Sequence, residues 1–313
     1  MLSAAFVETP VDGLCDELAR KCALLASSME SPTIIPQLTL YRHTMATPPL
    51  PVTYTPSIAL VVQGRKRVHL GSNTFVYDRS RFLLTSIELP VTSQVIEASK
   101  AMPYMCLRLA LDMRLVCEVL ASIEPVETVE TVEAGFGGNS PGMETGEATV
   151  DIVGAFGRLV DALNTPRDAP FLSELLQREI IYRVLQSTAG GRLRAIATNG
   201  DHSHRTAKAV AWVRANFTKA LRVENLAAVA GMGVSTLHHH FRRLTTMSPL
   251  QYQKQLRLQE ARRRMLIDGL DAASAAFEVG YESASQFNRE YSRVFGQSPM
   301  RDVRALREQG AAL

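Results

Sequence analysis

The residues best suited to chemistry lie near the C-terminus, where three histidines follow one another at positions 238–240. Histidine is a common metal ligand, so the triplet raises the question of a zinc site. In an α-helix, however, successive residues differ in direction by about 100°, and three in a row do not converge on one ion. We therefore predict no metal and no cofactor here. His238 and His239 are expected either to contact another molecule or to form a plain exposed face.

The histidines belong to the first copy of an internal repeat, which comprises residues 226–249 and 275–299. Each copy has a helix of small residues that ends in glycine, a tight turn, and a second helix with an aromatic residue near its middle. This order of elements is that of a helix-turn-helix unit. The repeat predicts two such units, at about residues 223–245 and 271–295.

The turns of the two copies contain residues that favour a sharp change of direction. Gly231 and Gly280 can adopt the left-handed conformation that ends a helix abruptly. Ser235 or Ser283 can then cap the helix that follows, because a serine hydroxyl accepts a hydrogen bond from a free backbone N–H. Both turns are therefore expected to be tight.

The second helix of each unit needs a buried side. Leu237 with Phe241, and Phe287 with Tyr291, are spaced four residues apart and so lie on one face of their helices. Packed inward, these pairs leave the other early positions facing out, where a recognition helix meets base edges. Arg289 lies about 200° around the helix from the second pair. An arginine there can bind guanine through two parallel hydrogen bonds.

The net charge of +3 conceals a difference between the two parts of the chain. Residues 204–313 hold 17 Lys and Arg against 9 Asp and Glu, a net charge of +8. Residues 1–203 have a net charge of −5. A basic part joined to an acidic one indicates that only the C-terminal part meets a polyanion, although a solvated basic face is the alternative.

The C-terminal segments resemble the AraC/XylS family of bacterial transcription regulators. GYESASQFNREYSRVFGQSPMRDVR is similar to the signature of that family, and SPLQYQKQLRLQEARRRM is similar to its linker helix. The resemblance implies that both recognition helices enter successive major-groove segments of double-stranded promoter DNA. It implies base contacts from Ser235, Thr236, His238, His239, Ala284, Ser285, Asn288 and Arg289, and phosphate contacts from Arg242, Arg243 and Arg293.

The chain before the repeat has a different residue pattern. From residue 57 to 111, short apolar runs alternate with turn residues, which is typical of a small β-barrel or sandwich. TYTPSIALVVQGRKRVHLG and MPYMCLRLALD resemble the N-terminal domain of one AraC-type subgroup, which implies a cupin-like barrel followed by helices. The acidic, glycine-rich stretch 124–149 is expected to be a flexible loop.

These observations predict a multidomain α+β protein. Residues 1–190 are expected to form a regulatory and dimerisation domain, with the barrel at about 35–111 and helices at about 112–187. Residues 191–204 have the composition of a linker. Residues 205–313 are expected to form an all-α DNA-binding domain.

The N-terminal domain is expected either to bind a small effector or only to dimerise. Tyr54, Gln63, His69 and Tyr104 are the polar or aromatic residues of the barrel region that could line a pocket. The resemblance suggests a homodimer formed through the helices around residues 150–187. A domain that dimerises and binds nothing small stays open as the alternative.

Two basic runs have structural interpretations. Residues 65–67 flank a predicted hairpin turn and are expected to protect an edge strand from pairing with another chain. Residues 262–264 are expected on a solvated helix face. Contact of this second run with DNA phosphate is the alternative.

The rival function class is an enzyme, because cupin-like barrels can hold metals. Such a site needs clustered histidines with a carboxylate, and the barrel region offers only His43 and His69. No nucleophile elbow, phosphate loop or dinucleotide fingerprint occurs, so we do not expect an enzyme. The chain starts without a signal-peptide pattern, and no apolar stretch approaches the roughly 20 residues that span a bilayer. A cytoplasmic protein is therefore expected.

Overall fold

The computed structural model describes residues 10–123, 141–198 and 200–308. These residues form two compact units that divide between positions 204 and 205, apart from Pro51–Thr53, which group with the second unit. The first unit combines β-sheets with helices, and the described chain from residue 205 onward is entirely helical. The predicted fold class is thereby confirmed.

Ten strands form two sheets and, except for Pro51–Thr53 of the third strand, belong to the first unit. They are β1 (Glu30–Pro32), β2 (Leu38–His43), β3 (Leu50–Tyr54), β4 (Ser57–Gln63), β5 (Arg65–Leu70), β6 (Asn73–Tyr77), β7 (Arg81–Thr85), β8 (Leu89–Glu97), β9 (Tyr104–Ala110) and β10 (Met143–Glu147). One sheet has the order β1-β2-β9-β4-β7-β10 and the other the order β3-β8-β5-β6. Strands β2 and β9 are antiparallel, with Tyr41 opposite Cys106.

The six-stranded sheet packs one of its faces against helices. Those of the first unit are α1 (Pro10–Leu25), α2 (Met113–Ser122), α3 (Val150–Asp161), α4 (Ala169–Gln186) and α5 (Gly190–Ala197). In β4, Ile58, Leu60 and Val62 join Phe156 and Leu159 of α3 in one buried core. Successive strand residues point to opposite faces. Alternate residues of these strands therefore point away from the helices.

Two segments that were predicted to be irregular are regular elements instead. Residues 124–140 of the predicted loop lie outside the described residues, but Met143–Glu147 pairs with β7 as a strand. Gly146 permits this pairing, since a Cβ there would lie 2.3 Å from Cζ of Phe82. At Gly146, the glycine that contributed to the loop prediction thus serves close packing.

The predicted linker is also largely helical. Residues 191–197 belong to α5, in which Leu193 is fully buried and Arg192 is 4% exposed. The prediction of a linker at 191–204 was therefore wrong for this stretch. Glycine and alanine gave the segment a flexible composition, whereas Gly190 packs closely, with Val184 O 2.4 Å from where its Cβ would lie.

The second unit is a series of short helices. They are α6 (His202–Ala215, which begins just before the division), α7 (Val223–Ala230), α8 (Val234–Thr245), α9 (Pro249–Arg263), α10 (Ala272–Glu278), α11 (Ala284–Phe295) and α12 (Pro299–Glu308). A π-helical turn, Arg264–Asp268, continues α9. Helices α7 with α8, and α10 with α11, form the two repeated units.

The turns of the repeat show how each unit changes direction. Gly231 has φ +62° and Gly280 has φ +93°, as expected for glycines in the left-handed region. Ser283 caps α11 and accepts a hydrogen bond from the backbone N–H of Gln286 at 3.3 Å. The predicted cap of α8 was wrong, because Gly233 occupies that position and Ser235 already lies inside the helix.

None of the helices in the described ranges is sufficiently long and apolar to span a bilayer.

Candidate functional site

Helix α8 has one buried, apolar face and one exposed, polar face. Leu237 and Phe241 are fully buried, and the Phe241 ring meets Tyr252 of α9 edge-on with 5.6 Å between centroids. The residues expected to contact bases from this unit are all exposed: Ser235, Thr236, His238 and His239. Inward packing of the apolar pair thus presents this polar face to solvent.

The histidines of α8 share a cleft with the arginines expected to contact phosphate. His238, His239, Arg242, Arg243 and Ser248 line this open cleft, which has a volume of about 590 Å³. Among the described residues, no Asp or Glu forms a salt bridge with either arginine. The same part of the chain holds no group of three or more His, Cys, Asp or Glu side chains placed for a metal ion. The cleft is therefore cationic, with its positive charge accessible to an anion.

Helix α11, like α8, has one buried, apolar face and one exposed, polar face. Phe287 and Tyr291 are fully buried with their ring centroids 5.4 Å apart. On the opposite side, Ala284 is partly buried, whereas Ser285, Asn288, Arg289 and Arg293 are exposed. Within the described ranges neither arginine of this set takes part in a salt bridge, so Glu282 does not hold Arg289.

One exposed residue of α11 was not among the predicted contacts. Gln286 lies beside Ser285, and its side-chain amide donates a hydrogen bond to Glu290 at 3.4 Å. Glu290 also accepts from the Tyr281 hydroxyl at 2.9 Å and pairs with Lys254 at 3.1 Å. These interactions connect one side of α11 to α9. Arg289, in contrast, forms no salt bridge within the described residues.

Helix α9 links the two helix-turn-helix units through contacts with the cores of both. Its Tyr252 packs on Phe241 of the first helix-turn-helix unit, and Gln253 donates hydrogen bonds to the carbonyls of Phe217 and Lys219 at 2.9 and 2.7 Å. Towards its end, Leu258 joins the buried core of the second helix-turn-helix unit. The Ser248–Gln251 capping box fixes the start of the helix. The linker helix is therefore held at both ends.

The basic run at 262–264 has internal partners. Arg262 is 5% exposed and makes two hydrogen bonds to the carboxylate of Asp302, at 2.7 and 2.9 Å. Arg263 and Arg264 both donate to Glu260, and hydrogen bonds from these arginines hold the pKa of that carboxyl below its usual range. The predicted solvated face was wrong for Arg262. Its burial also excludes the alternative of a phosphate contact.

The first unit brings together two of the four predicted effector residues. The ring centroids of Tyr54 and Tyr104 lie 5.5 and 5.8 Å from Lys66 Nζ, and the Tyr54 hydroxyl lies 2.9 Å from Ser93 Oγ. These two residues face the space between the two sheets.

Gln63 is separate from these two tyrosines, because the pairing of β4 with β9 shifts register between Val61 and Gln63. Its side chain donates to the carbonyl of Pro103 at 2.6 Å. Gln63 lines an open cleft together with Asp12 and Asp16 of α1.

His69 does not join the two tyrosines either. Its Nδ1 lies 2.9 Å from the hydroxyl of Thr74, its cross-strand neighbour on β6. Val68 and Leu70, the residues on either side, are fully buried. Strand alternation therefore puts His69 on the outer face of β5, apart from Tyr54 and Tyr104.

A residue that sequence reasoning interpreted differently occupies the space between the sheets. Lys66 Nζ lies 5.9, 5.5 and 5.8 Å from the ring centroids of Tyr41, Tyr54 and Tyr104. It was predicted to protect an edge strand, but β5 pairs with both β6 and β8 and is not an edge. The available signal was its spacing of two residues from Val68, which is buried on the same strand face.

Comparison with known proteins agrees with both halves of this architecture. The family model for the AraC-type transcriptional regulator N-terminus matches residues 34–192, half of the chain. A helix-turn-helix domain model matches residues 226–305. The fold and the paired recognition helices define a helix-turn-helix regulator, and the chain belongs to the AraC-type transcriptional regulators.

Individual relatives match part of the chain. It is 29% identical over 132 residues to the HTH-type transcriptional activator RhaS of Klebsiella pneumoniae (strain 342), covering 42% of this chain and 46% of that protein. It is 27% identical over 138 residues to RhaS of Escherichia fergusonii, covering 44% and 49%. The chain thus spans about half the length of these curated relatives.

A solved structure shares the fold over a longer span. Wild-type ToxT from Vibrio cholerae strain SCE256, crystallised with a bound unsaturated fatty acid, is 10% identical with a TM-score of 0.56. The match covers 85% of this chain and 94% of that one. The likeness supports the order of a β-rich unit followed by a helical one.

Proposed function

We propose that the chain binds double-stranded promoter DNA through α8 and α11 and regulates transcription there. The observation that carries this proposal is the repeated, outward-facing polar surface on both second helices of the helix-turn-helix units. Each surface combines uncharged polar side chains, which suit base edges, with arginines that form no salt bridge within the described residues and suit phosphates. A protein with this target acts in the cytoplasm of a bacterial cell.

Individual roles follow from position on these helices. Residues early on a recognition helix reach base edges. We therefore assign base contacts to Ser235, Thr236, His238, His239, Ala284, Ser285, Asn288 and Arg289. Arg242, Arg243 and Arg293 lie later on the helices, where a guanidinium meets the sugar–phosphate backbone. Bidentate pairing with guanine makes Arg289 the strongest single determinant of sequence preference.

We further propose that the first unit controls DNA binding as an effector-binding and dimerising domain. The polar residues between its sheets support an effector site, and ToxT provides a related fold crystallised with a small ligand. Helix α4 exposes Phe171, Leu175 and Tyr182, which are 72%, 51% and 46% accessible. Apolar side chains in a row on one helix are typical of a helix–helix interface. This surface fits a second copy of the chain.

The test of the function is binding to DNA as a function of sequence and salt. Bound sites are first mapped across the genome, and the full chain is then titrated with a site duplex and a scrambled duplex. We expect tighter binding to the site and a steep loss of affinity with salt, because phosphate contacts release counterions. Equal affinity for both duplexes would contradict sequence-specific regulation.

Two controls locate the activity. A fragment of residues 200–313 is expected to fold and bind DNA, in line with the proposed domain boundary. In the full chain, Arg167→Ala removes an exposed arginine outside the second unit and should leave DNA binding unchanged. A fragment that folds but has no affinity for DNA at low salt would overturn the assignment of DNA binding to these helices.

A further inference from the structure

The space between the two sheets holds a cation surrounded by aromatic rings. We call Lys66, Tyr41, Tyr54 and Tyr104 the lysine cage. The three ring centroids lie 5.5–5.9 Å from Nζ, within the range of cation–π attraction. The rings come from β2, β3 and β9, so the cage joins strands of both sheets.

Lys66 has no salt-bridge partner in the described chain, which comprises residues 10–123, 141–198 and 200–308. Among these residues, the one carboxylate bonded to the cage is that of exposed Glu30, which accepts a hydrogen bond from the Tyr41 hydroxyl at 2.7 Å. A second cation lies close by, because the Arg108 guanidinium carbon is 5.9 Å from the Tyr41 ring centroid. Charges removed from water are normally paired, since burying an unpaired charge is costly. The pair of cations therefore leaves an excess of positive charge between the sheets.

Two buried phenols, Tyr104 of the cage and Tyr77 beside it, make no well-formed hydrogen bond among the described residues. Tyr77 lies directly across from Lys66 on β6 and is 1% exposed, and Tyr104 is fully buried. Their polar neighbours are the side chains of Tyr54 and Cys106 and each other, in positions that do not satisfy the distance and angle of a hydrogen bond. Burial raises the pKa of both phenols, so they stay protonated and can donate. Unsatisfied buried donors of this kind cost about 1–3 kcal/mol each and are rare without a functional reason.

The positive charge of Lys66 and the hydroxyl donors of Tyr77 and Tyr104 together suit an anionic ligand that accepts hydrogen bonds. We propose that the lysine cage and the hydroxyls of Tyr77 and Tyr104 bind the carboxylate of a small organic acid, with its apolar body against the tyrosine rings. A carboxylate offers about four acceptor sites and one negative charge, which match the unpaired donors and cation. This inference rests on the proposed role of the first unit as an effector domain and names the class of effector.

The full chain is titrated calorimetrically with benzoate, phenylacetate and octanoate, and with the uncharged amide of each. Binding of at least one carboxylate and a tenfold or greater preference over its amide are expected, because an amide lacks the charge that Lys66 requires. If none of the three acids binds, or if acid and amide bind equally, the inference is wrong.

Variants place the binding in the cage. Lys66→Met keeps the length of the side chain without its charge and should weaken carboxylate binding at least tenfold. Tyr104→Phe removes only a hydroxyl and should weaken it by about threefold to tenfold. His69→Gln, on the outer face of the same strand, should leave affinity unchanged. A folded Lys66→Met that retains wild-type affinity would overturn the inference; should that variant not fold, an unchanged affinity in Tyr104→Phe would do so.

The same preparations are assayed for DNA binding, which separates this inference from the proposed function. Carboxylate binding at the cage without any DNA binding by the wild type would overturn the proposed function and leave the site intact. Sequence-specific DNA binding in a chain that binds no carboxylate would overturn only the inference. Promoter affinity that changes with carboxylate in the wild type, but not in Lys66→Met, would support both.

Discussion

Arg262 and Asp302 form a buried, two-pronged ion pair between the end of the linker helix α9 and the last helix, α12. Their side chains are 6% and 9% exposed, and the Tyr291 hydroxyl donates to the same carboxylate at 2.7 Å. The Arg262 guanidinium also lies 4.6 Å from the centroid of the Phe295 ring. Tyr291 and Phe295 belong to α11. The Arg262–Asp302 ion pair therefore supports the second recognition helix on its buried side.

Loss of this pair should destabilise the second unit. Asp302→Ala leaves Arg262 buried without a counter-charge, so we expect the free energy of unfolding to fall by about 3–5 kcal/mol. Replacing both partners by apolar residues, Arg262→Met with Asp302→Leu, should recover most of the loss. Urea denaturation measures both effects. Arg304→Ala, an exposed change on the same helix, is the control, and an equal loss there would refute the role of the pair.

The two turn glycines should respond differently to alanine. A Cβ at Gly280 would lie 2.0 Å from the carbonyl oxygen of Thr218, whereas a Cβ at Gly231 would meet nothing within 4 Å. Gly231→Ala should therefore cost about 1 kcal/mol for its positive φ alone. Gly280→Ala should cost several times more, as backbone must shift. Thermal unfolding of both variants tests this, and equal losses would contradict a role for the close approach of Gly280 to Thr218.

Arg289 and Arg293 should contribute to DNA binding in different ways. Arg289→Ala is expected to cost about 1–3 kcal/mol on the specific site and to relax the preference at one base pair. Arg293→Ala should weaken binding to all sequences and reduce the salt slope by about one. Competition binding with specific and scrambled duplexes distinguishes the two. Uniform weakening by Arg289→Ala would show that it contacts only phosphate.

The Glu260 cluster should make stability depend on pH. Hydrogen bonds from Arg263 and Arg264 lower the pKa of Glu260 in the folded chain below its ordinary value of 4.5. Its stabilising contribution is therefore present above that pH and is lost as the pH falls through the folded pKa. Glu260→Gln should lower the free energy of unfolding by about 1 kcal/mol or less at neutral pH, since the groups are partly exposed.

For this cluster the measurement is urea denaturation across the pH range. The difference between wild type and Glu260→Gln should shrink towards zero in acid. Glu308→Gln, which removes an exposed carboxylate with no ion pair in the described structure, should have no effect at either pH. A Glu260→Gln deficit that persists unchanged in acid would show that charge is not its cause.

The apolar face of α4 should control self-association. Phe171→Ser with Leu175→Ser is expected to weaken dimerisation at least tenfold, because it removes two large apolar side chains from the proposed contact. Sedimentation over a range of concentrations gives the dissociation constant. Leu24→Ser changes a residue that is 89% exposed elsewhere in the first unit and should have no effect. An unaltered dimer in the α4 variant would place the interface elsewhere.

Much of the second unit could be predicted because its signals are local. A glycine that ends a helix and an aromatic pair four residues apart, such as Phe287 and Tyr291, describe contacts within a single turn or helix. The repetition of this pattern in one chain strengthened the prediction, and the family comparisons confirmed it. The individual DNA contacts on α8 and α11 stay predictions, to be decided by the experiments above.

The first unit shows what required tertiary structure. The sequence alone predicted short strands in this region. It did not decide which of Lys66 and His69, which lie on opposite faces of β5, faces the space between the sheets. A shift of one residue in register exchanges the two faces, and register is set by pairing with β6 and β8. Long-range pairing likewise formed β10 from Met143–Glu147, within the predicted loop, and buried Arg262 beside Asp302, 40 residues away. Local composition does not identify such partners. The strand pairing and the ion pair stabilise the fold only when segments that are distant in the sequence come into contact.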